Sequence, residues 1–115
     1  MPPHANLLDR ESALERLEGD EELLNEIIDI FLEDAPRLFL ALKQSRVDRD
    51  QKSTERQAHS LKGASANVGA VMLQEISSRA ESAVRDGDWT VLEGLLPEME
   101  ATLHATLDIL RDQSE

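Results

Sequence analysis

Apolar positions recur along the 115-residue chain at three- and four-residue intervals, and no run of β-branched residues alternates with period two. The pattern therefore predicts helix throughout. After a proline-containing leader, Asp9 is placed to cap a short helix, RESALERLEG, in which Leu14 and Leu17 share a face and Gly19 suits the stop. Asp20 caps a second helix with a wide apolar stripe of Leu23, Leu24, Ile27, Ile28, Phe31 and Leu32, and Glu21 and Glu22 favour its N-terminus through the helix dipole. The stripe resumes after Pro36 at Leu38, Phe39 and Leu42, which predicts one long rod kinked at the proline. Residues 45–50, SRVDRD, break the stripe and read as a connection.

A third helix is expected from about residue 51 to 68, ended by Gly69, and a fourth in AVMLQEISSRAESAVRDGD, stopped at Gly87. The last begins at Trp89, contains Pro97, and carries Leu92, Leu96, Met99, Leu103, Leu107 and Leu110 on one face. Four substantial amphipathic helices with short connections predict one all-α domain over residues 1–115. Its architecture is an antiparallel up-down-up-down four-helix bundle from about residue 9 to 112, with the short first helix as a lid.

On the third helix, Thr54, Ala58, Leu61, Ser65 and Val68 fall within about 80° of one another and mark the buried side. His59 points roughly 120° or more away from that stripe, into water. Helical side chains lean toward the N-terminus, so the residues that would cover His59 are Lys62 and Gly63, with Ala66 beyond. Gly63 costs a helix interior roughly 1 kcal/mol relative to Ala. What it offers in return is an imidazole left open to another protein. A neutral imidazole is a good nucleophile near pH 7, and an ammonium at Lys62 can attract phosphoryl oxygens, so this pair suits acceptance of a phosphoryl group on nitrogen.

Charge and composition narrow the alternatives. The formal net charge of −12, with Phe31, Phe39 and Trp89 as the only aromatics, argues against a nucleic-acid binder. Within this acidic chain, residues 43–62 carry six basic side chains (Lys43, Arg46, Arg49, Lys52, Arg56, Lys62) against three acidic ones (Asp48, Asp50, Glu55), which agrees with an anionic substrate there. With no cysteine, no apolar run of membrane-spanning length and no signal-peptide core in MPPHANLLDRE, the expected setting is the cytoplasm, without membrane contact. A di-iron bundle would need Glu-x-x-His, and the residues three before His4, His59 and His104 are Met1, Arg56 and Ala101. His104 follows Leu103 and reads as a flank of the buried stripe. There is no P-loop or other phosphate cradle for ATP.

The stretch AHSLKGASANVGA closely resembles the signature of histidine-containing phosphotransfer (HPt) domains, roughly H-x-x-K-G-[SA]-[SA]-x-x-[LVI]-G. His59, Lys62, Gly63, Ala64, Ser65, Val68 and Gly69 match it. GDEELLNEIIDIFLEDAPRL upstream and LQEISSRAESAVRDGD downstream are also similar to the family. The resemblance implies a phosphorelay module of two-component signal transduction. His59 would accept a phosphoryl group from a receiver-domain aspartate and pass it to another, with Lys62 as electrostatic partner, Gly63 as clearance residue and Gly69 as helix end. Some members use a glutamine on the following helix to hydrogen-bond the imidazole, and Glu81 stands at that position here.

The resemblance further implies a phosphoryl carrier with no ATP-dependent kinase activity and no cofactor of its own, Mg²⁺ being supplied by the receiver. Partners would be response-regulator receivers and a hybrid sensor histidine kinase, with the chain itself a monomer. The docking patch is expected around His59, Lys62, Gly63 and Ala66, with apolar contributions from Leu7, Leu8 and the start of the second helix. The competing reading is a scaffolding bundle that keeps this fold without phosphotransfer, and the presence of His59 with Lys62 and Gly63 argues against it.

Overall fold

The computed structural model describes residues 7–113, all of whose regular structure is helical: α1 (Arg10–Arg16), α2 (Glu21–Val47), α3 (Gln51–Asn67), α4 (Val71–Arg85) and α5 (Trp89–Gln113). Four helix starts are fixed by the same device. The carboxylates of Asp9, Asp20, Asp50 and Asp88 accept from the backbone N–H of Ser12, Leu23, Ser53 and Val91 at 3.0–3.1 Å, satisfying donors that a helix leaves unpaired. The exception is α4, whose cap position is the fully buried Ala70.

Helix α2 runs unbroken through Pro36, as α5 does through Pro97. At about 1.5 Å per residue its 27 residues span the 40 Å length of the molecule. It also continues through residues 45–47, where the sequence predicted a connection. The polar side chains there have partners: Ser45 Oγ donates to the Leu42 carbonyl and accepts from Thr54 Oγ1 across α3, while Arg46 reaches Glu93 on α5. Loss of the apolar stripe thus marks a change of neighbour rather than the helix end. The reversal is confined to residues 48–50, where Arg49 takes φ +54.

Three-residue connections between α2 and α3, α3 and α4, and α4 and α5 make successive helices antiparallel. Helix α3 is clasped between α2 and α4, and α5 closes the bundle against α4 and α2. The core is built from the predicted stripes of α2, α3 and α5, with Leu24, Ile28, Phe31, Leu42, Leu61, Leu92, Met99, Leu103 and Leu110 buried, and is joined by Leu73 of α4. Leu23, placed in the α2 stripe by the sequence, is 39% exposed, since it stands about 100° around the helix from Leu24. Between α3 and α4 the buried positions are largely small: Thr54, Ala58 and Ser65 on one side, Ser77 and Ala80 on the other. Small side chains let two helix axes approach, and that close seam brings α4 side chains within reach of the outer face of α3. The short α1 is tied to the far end of α3, with Asp9 N–H donating to the Gly69 carbonyl at 2.7 Å and Arg16 to the Ala66 carbonyl at 2.9 Å.

Candidate functional site

The buried stripe of α3 is the predicted one, and His59 lies opposite it in mid-helix with 67% of its side chain exposed. The ring is nevertheless held. Glu81 on α4, only 6% exposed, points through the α3–α4 seam and places Oε2 at 2.8 Å from His59 Nδ1 and Oε1 at 2.6 Å from Lys62 Nζ. Arg85, one turn further along α4, brings Nη2 to 3.1 Å from Glu81 Oε2 and donates from Nε to Glu55 of α3 at 3.1 Å. Burial alone would raise the Glu81 pKa, but hydrogen bonds from Lys62 and His59, with their charges, outweigh it and hold the carboxyl below its ordinary value.

An ionised carboxylate can only accept hydrogen bonds, so the hydrogen between the two groups belongs to Nδ1. In a neutral ring Nε2 then carries the lone pair, and it has no partner among the described residues. The sequence places Glu81 only where some HPt domains carry glutamine; the structure has it hold the ring and fix its tautomer.

Lys62 differs from the expectation in its partner. Its ammonium is bound to Glu81, so its charge offsets a buried carboxylate behind the ring. Gly63 lies on the exposed side of α3, and a Cβ built there meets nothing within 4 Å. Ala66, half-buried, follows two turns after His59. Leu7 and Leu8 are not brought to the ring. Both are half-buried, Leu8 packs against the core, and the adjoining Asp9 is pinned at Gly69, roughly 15 Å along the axis from His59 at 1.5 Å per residue. As expected of the second helix, α2 supplies an apolar flank beside α3, where Ile27, Ile30 and Phe31 with Asp34, Ala64 and Asn67 line a groove and Ile30 is 60% exposed.

Two members of the site, Arg85 and Glu55, were missed by sequence reasoning. The Glu81–Arg85 spacing of four residues, a favourable helical ion pair, was the available signal. A hollow beside the ring is lined by Lys52, Glu55, Arg56, His59 and Glu81. Among the described residues no three His, Cys, Asp or Glu side chains converge on a metal-sized site, and no helix is long and apolar enough to cross a membrane.

Comparison with known proteins bears on the family and the fold. The chain is 22% identical over 111 residues to the phosphorelay intermediate protein rdeA of Dictyostelium discoideum, an alignment covering 96% of this chain and 44% of that protein. The chain thus spans less than half of that relative's length. Its fold matches the crystal structure of histidine-containing phosphotransfer protein B from Pseudomonas aeruginosa with a TM-score of 0.86 at 24% identity, covering 99% of this chain and 96% of the other. It also matches the HPT domain of a sensor hybrid histidine kinase from Shewanella with a TM-score of 0.82 at 20% identity, covering 93% and 92%. The Hpt domain family model matches residues 26–113, so this chain belongs to the Hpt domain family.

Proposed function

We propose that this domain is a phosphoryl carrier of a phosphorelay in two-component signal transduction, with His59 as the group that is loaded and unloaded. The observation that carries the reading is the His59 Nδ1 to Glu81 hydrogen bond at 2.8 Å on a ring that is otherwise 67% exposed. The ring is oriented from behind, while Nε2 is open to a partner. In the accepting step the Nε2 lone pair forms a bond to phosphorus as the P–O bond of an acyl phosphate breaks and the aspartate carboxylate leaves. The proton on Nδ1 stays between the ring and Glu81, so no proton has to be removed before attack. Donation to a second aspartate is the same step reversed.

Lys62 acts in this account by offsetting the charge of Glu81, which would otherwise repel the incoming phosphoryl oxygens. Gly63 leaves space for the partner, and the groove of Ile27, Ile30 and Ala64 gives it an apolar landing beside the ring. The partner is a response-regulator receiver domain, which brings the phosphoaspartate and its Mg²⁺. The name of the Shewanella structure supports a hybrid sensor kinase as a further partner, and that of rdeA a relay intermediate. The domain works as a cytoplasmic monomer and makes no use of ATP.

Incubation with a phosphorylated receiver is expected to label one residue, with the acid-labile, alkali-stable behaviour of phosphohistidine, and His59→Gln is expected to abolish the label. ATP and Mg²⁺ alone should give none. Label that survives the substitution, or acid-stable phosphoserine, overturns the assignment.

A further inference from the structure

We propose that Arg56 and Lys52 hold the phosphoryl oxygens once the group is on His59, while Lys62 serves the ring through Glu81. The inference rests on the phosphoryl-carrier reading and assigns its anion-binding residues.

The six cations of residues 43–62 fall into two sets in the structure. Lys43 reaches Glu100 at 3.8 Å and stacks over Phe39, Arg46 and Arg49 converge on Glu93, and Lys62 is bound to Glu81. Lys52 and Arg56 form no ion pair among the described residues, and the hydrogen bond of Arg56 is to Ser53 Oγ at 3.0 Å. These two stand seven and three positions before His59, on the same exposed face, and both line the hollow beside the ring. A helical side chain leans over the turn preceding it, so His59 reaches toward Arg56 and away from the C-terminal end of α3.

The charges around that hollow come from α3 and α4. The acids Glu55 and Glu81 are matched by the cations Arg85 and Lys62. Asp50, at the start of α3, caps Ser53 through Oδ1 at 3.1 Å and Oδ2 at 2.8 Å, and those hydrogen bonds, more than the nearby charges of Arg56 and Lys52, hold its carboxyl below the usual value. Lys52 and Arg56 remain as charges without a carboxylate bound to them. A phosphoryl group adds a charge of about −1.5 to −2 at pH 7, close to what two such cations offset. A guanidinium is also suited to bind two phosphoryl oxygens at once. Lys62 is a poorer candidate, since turning to the phosphoryl group would strip a partner from a carboxylate that is 6% exposed.

The test uses the domain alone, so that partner docking plays no part. Phosphoramidate serves as the donor: Nε2 forms the N–P bond as the P–N bond of the reagent breaks and ammonia leaves with a proton from solvent. Phosphorus NMR then follows the second ionisation of the phosphoryl group on His59, which lies near pH 6 in a free phosphate ester. Removing a cation stabilises the protonated form, so Arg56→Gln and Lys52→Gln are expected to raise that ionisation by about half a unit each and roughly one unit together. Arg56→Lys should restore most of the shift, and the thermal unfolding of these exposed variants should match the parent. A double variant that titrates with the parent overturns this assignment alone. A parent chain that takes no phosphoryl group on His59 overturns the carrier reading and this inference with it.

Discussion

Glu93 and Glu81 each collect cations across a helix boundary, but the two clusters end in different chemistry. Glu93 on α5 receives Arg46 Nη1 at 2.7 and 2.8 Å on its two oxygens and Arg49 at 3.6 Å, while the Arg49 guanidinium stacks over Trp89 at 5.0 Å. Hydrogen bonding from Arg46, opposed by modest burial, holds its carboxyl below the usual range. Both partners are permanently charged, so the cluster is a clamp that fastens α2 and the reversal at residues 48–50 to α5. Glu81 is more deeply buried, and one of its partners is an imidazole that is 67% exposed and bound to it through Nδ1 alone among the described residues. A carboxylate amid cations fastens helices when every partner is saturated. It prepares a nucleophile when one partner keeps a free lone pair.

Exchanging the two carboxylates for amides separates the roles and has the largest expected effect. Glu81→Gln keeps the shape but removes the charge, so the amide can either accept from or donate to Nδ1 and no longer dictates the tautomer. Transfer from a phosphorylated receiver is expected to slow by about tenfold or more, with a changed pH–rate profile. Glu93→Gln should lower the melting temperature slightly and leave transfer within about twofold of the parent. Equal losses of transfer in both variants would remove the distinction between clamp and site.

Two glycines sharpen the same contrast at backbone level. Gly69 has φ +73, and a Cβ there would overlap the Asp9 carbonyl, so Gly69→Ala should cost about 1–2 kcal/mol from the backbone alone and loosen α1. Gly63 is helical with open space around it, so Gly63→Ala should stabilise the domain by up to roughly 1 kcal/mol. In the series Ala, Ser, Gln and Leu at position 63, transfer should fall with side-chain size, because each leans over His59, while melting temperature does not fall below that of the parent. Transfer and stability dropping together at position 63 would show that the glycine serves packing.

The smallest effect is the acid response. The folded-state pKa of Glu81 is depressed, so the stability it contributes is present above its ordinary value of 4.5 and is lost as pH falls from there through the folded value. Glu93 adds to the same trend. The melting temperature should therefore decline on acidification below about pH 4.5, and Glu81→Gln should flatten part of that decline. An unchanged slope in the variant would mean that Glu81 gains nothing from its partners.

Much of this arrangement was legible in the sequence because it depends on local rules. Asp9 and Asp20 announced helix starts, the stripes of α3 and α5 named the core, and the angle of His59 to the buried stripe of α3 put the ring outside. What the sequence did not disclose depends on partners distant along the chain. Residues 45–47 read as a break because Ser45 and Arg46 are polar, and only Thr54 and Glu93 explain their place in α2. Lys62 read as a free charge because Glu81 is 19 positions away. That Leu7 and Leu8 sit near the end of α3 rather than beside the ring follows only from the anchoring of Asp9 at Gly69, 60 positions along the chain. Arg85 lay one helical turn from Glu81, and its value appeared only once Glu81 was known to be buried.

The most direct test of the central claim is the nitrogen that carries phosphorus. The domain, labelled with ¹⁵N in its histidines and loaded from a phosphorylated receiver, can be read for phosphorus–nitrogen coupling and for the proton on the other ring nitrogen. The account predicts coupling to Nε2 of His59 alone, with the proton on Nδ1 where Glu81 accepts it. Phosphorus on Nδ1, or on His4 or His104, would contradict it.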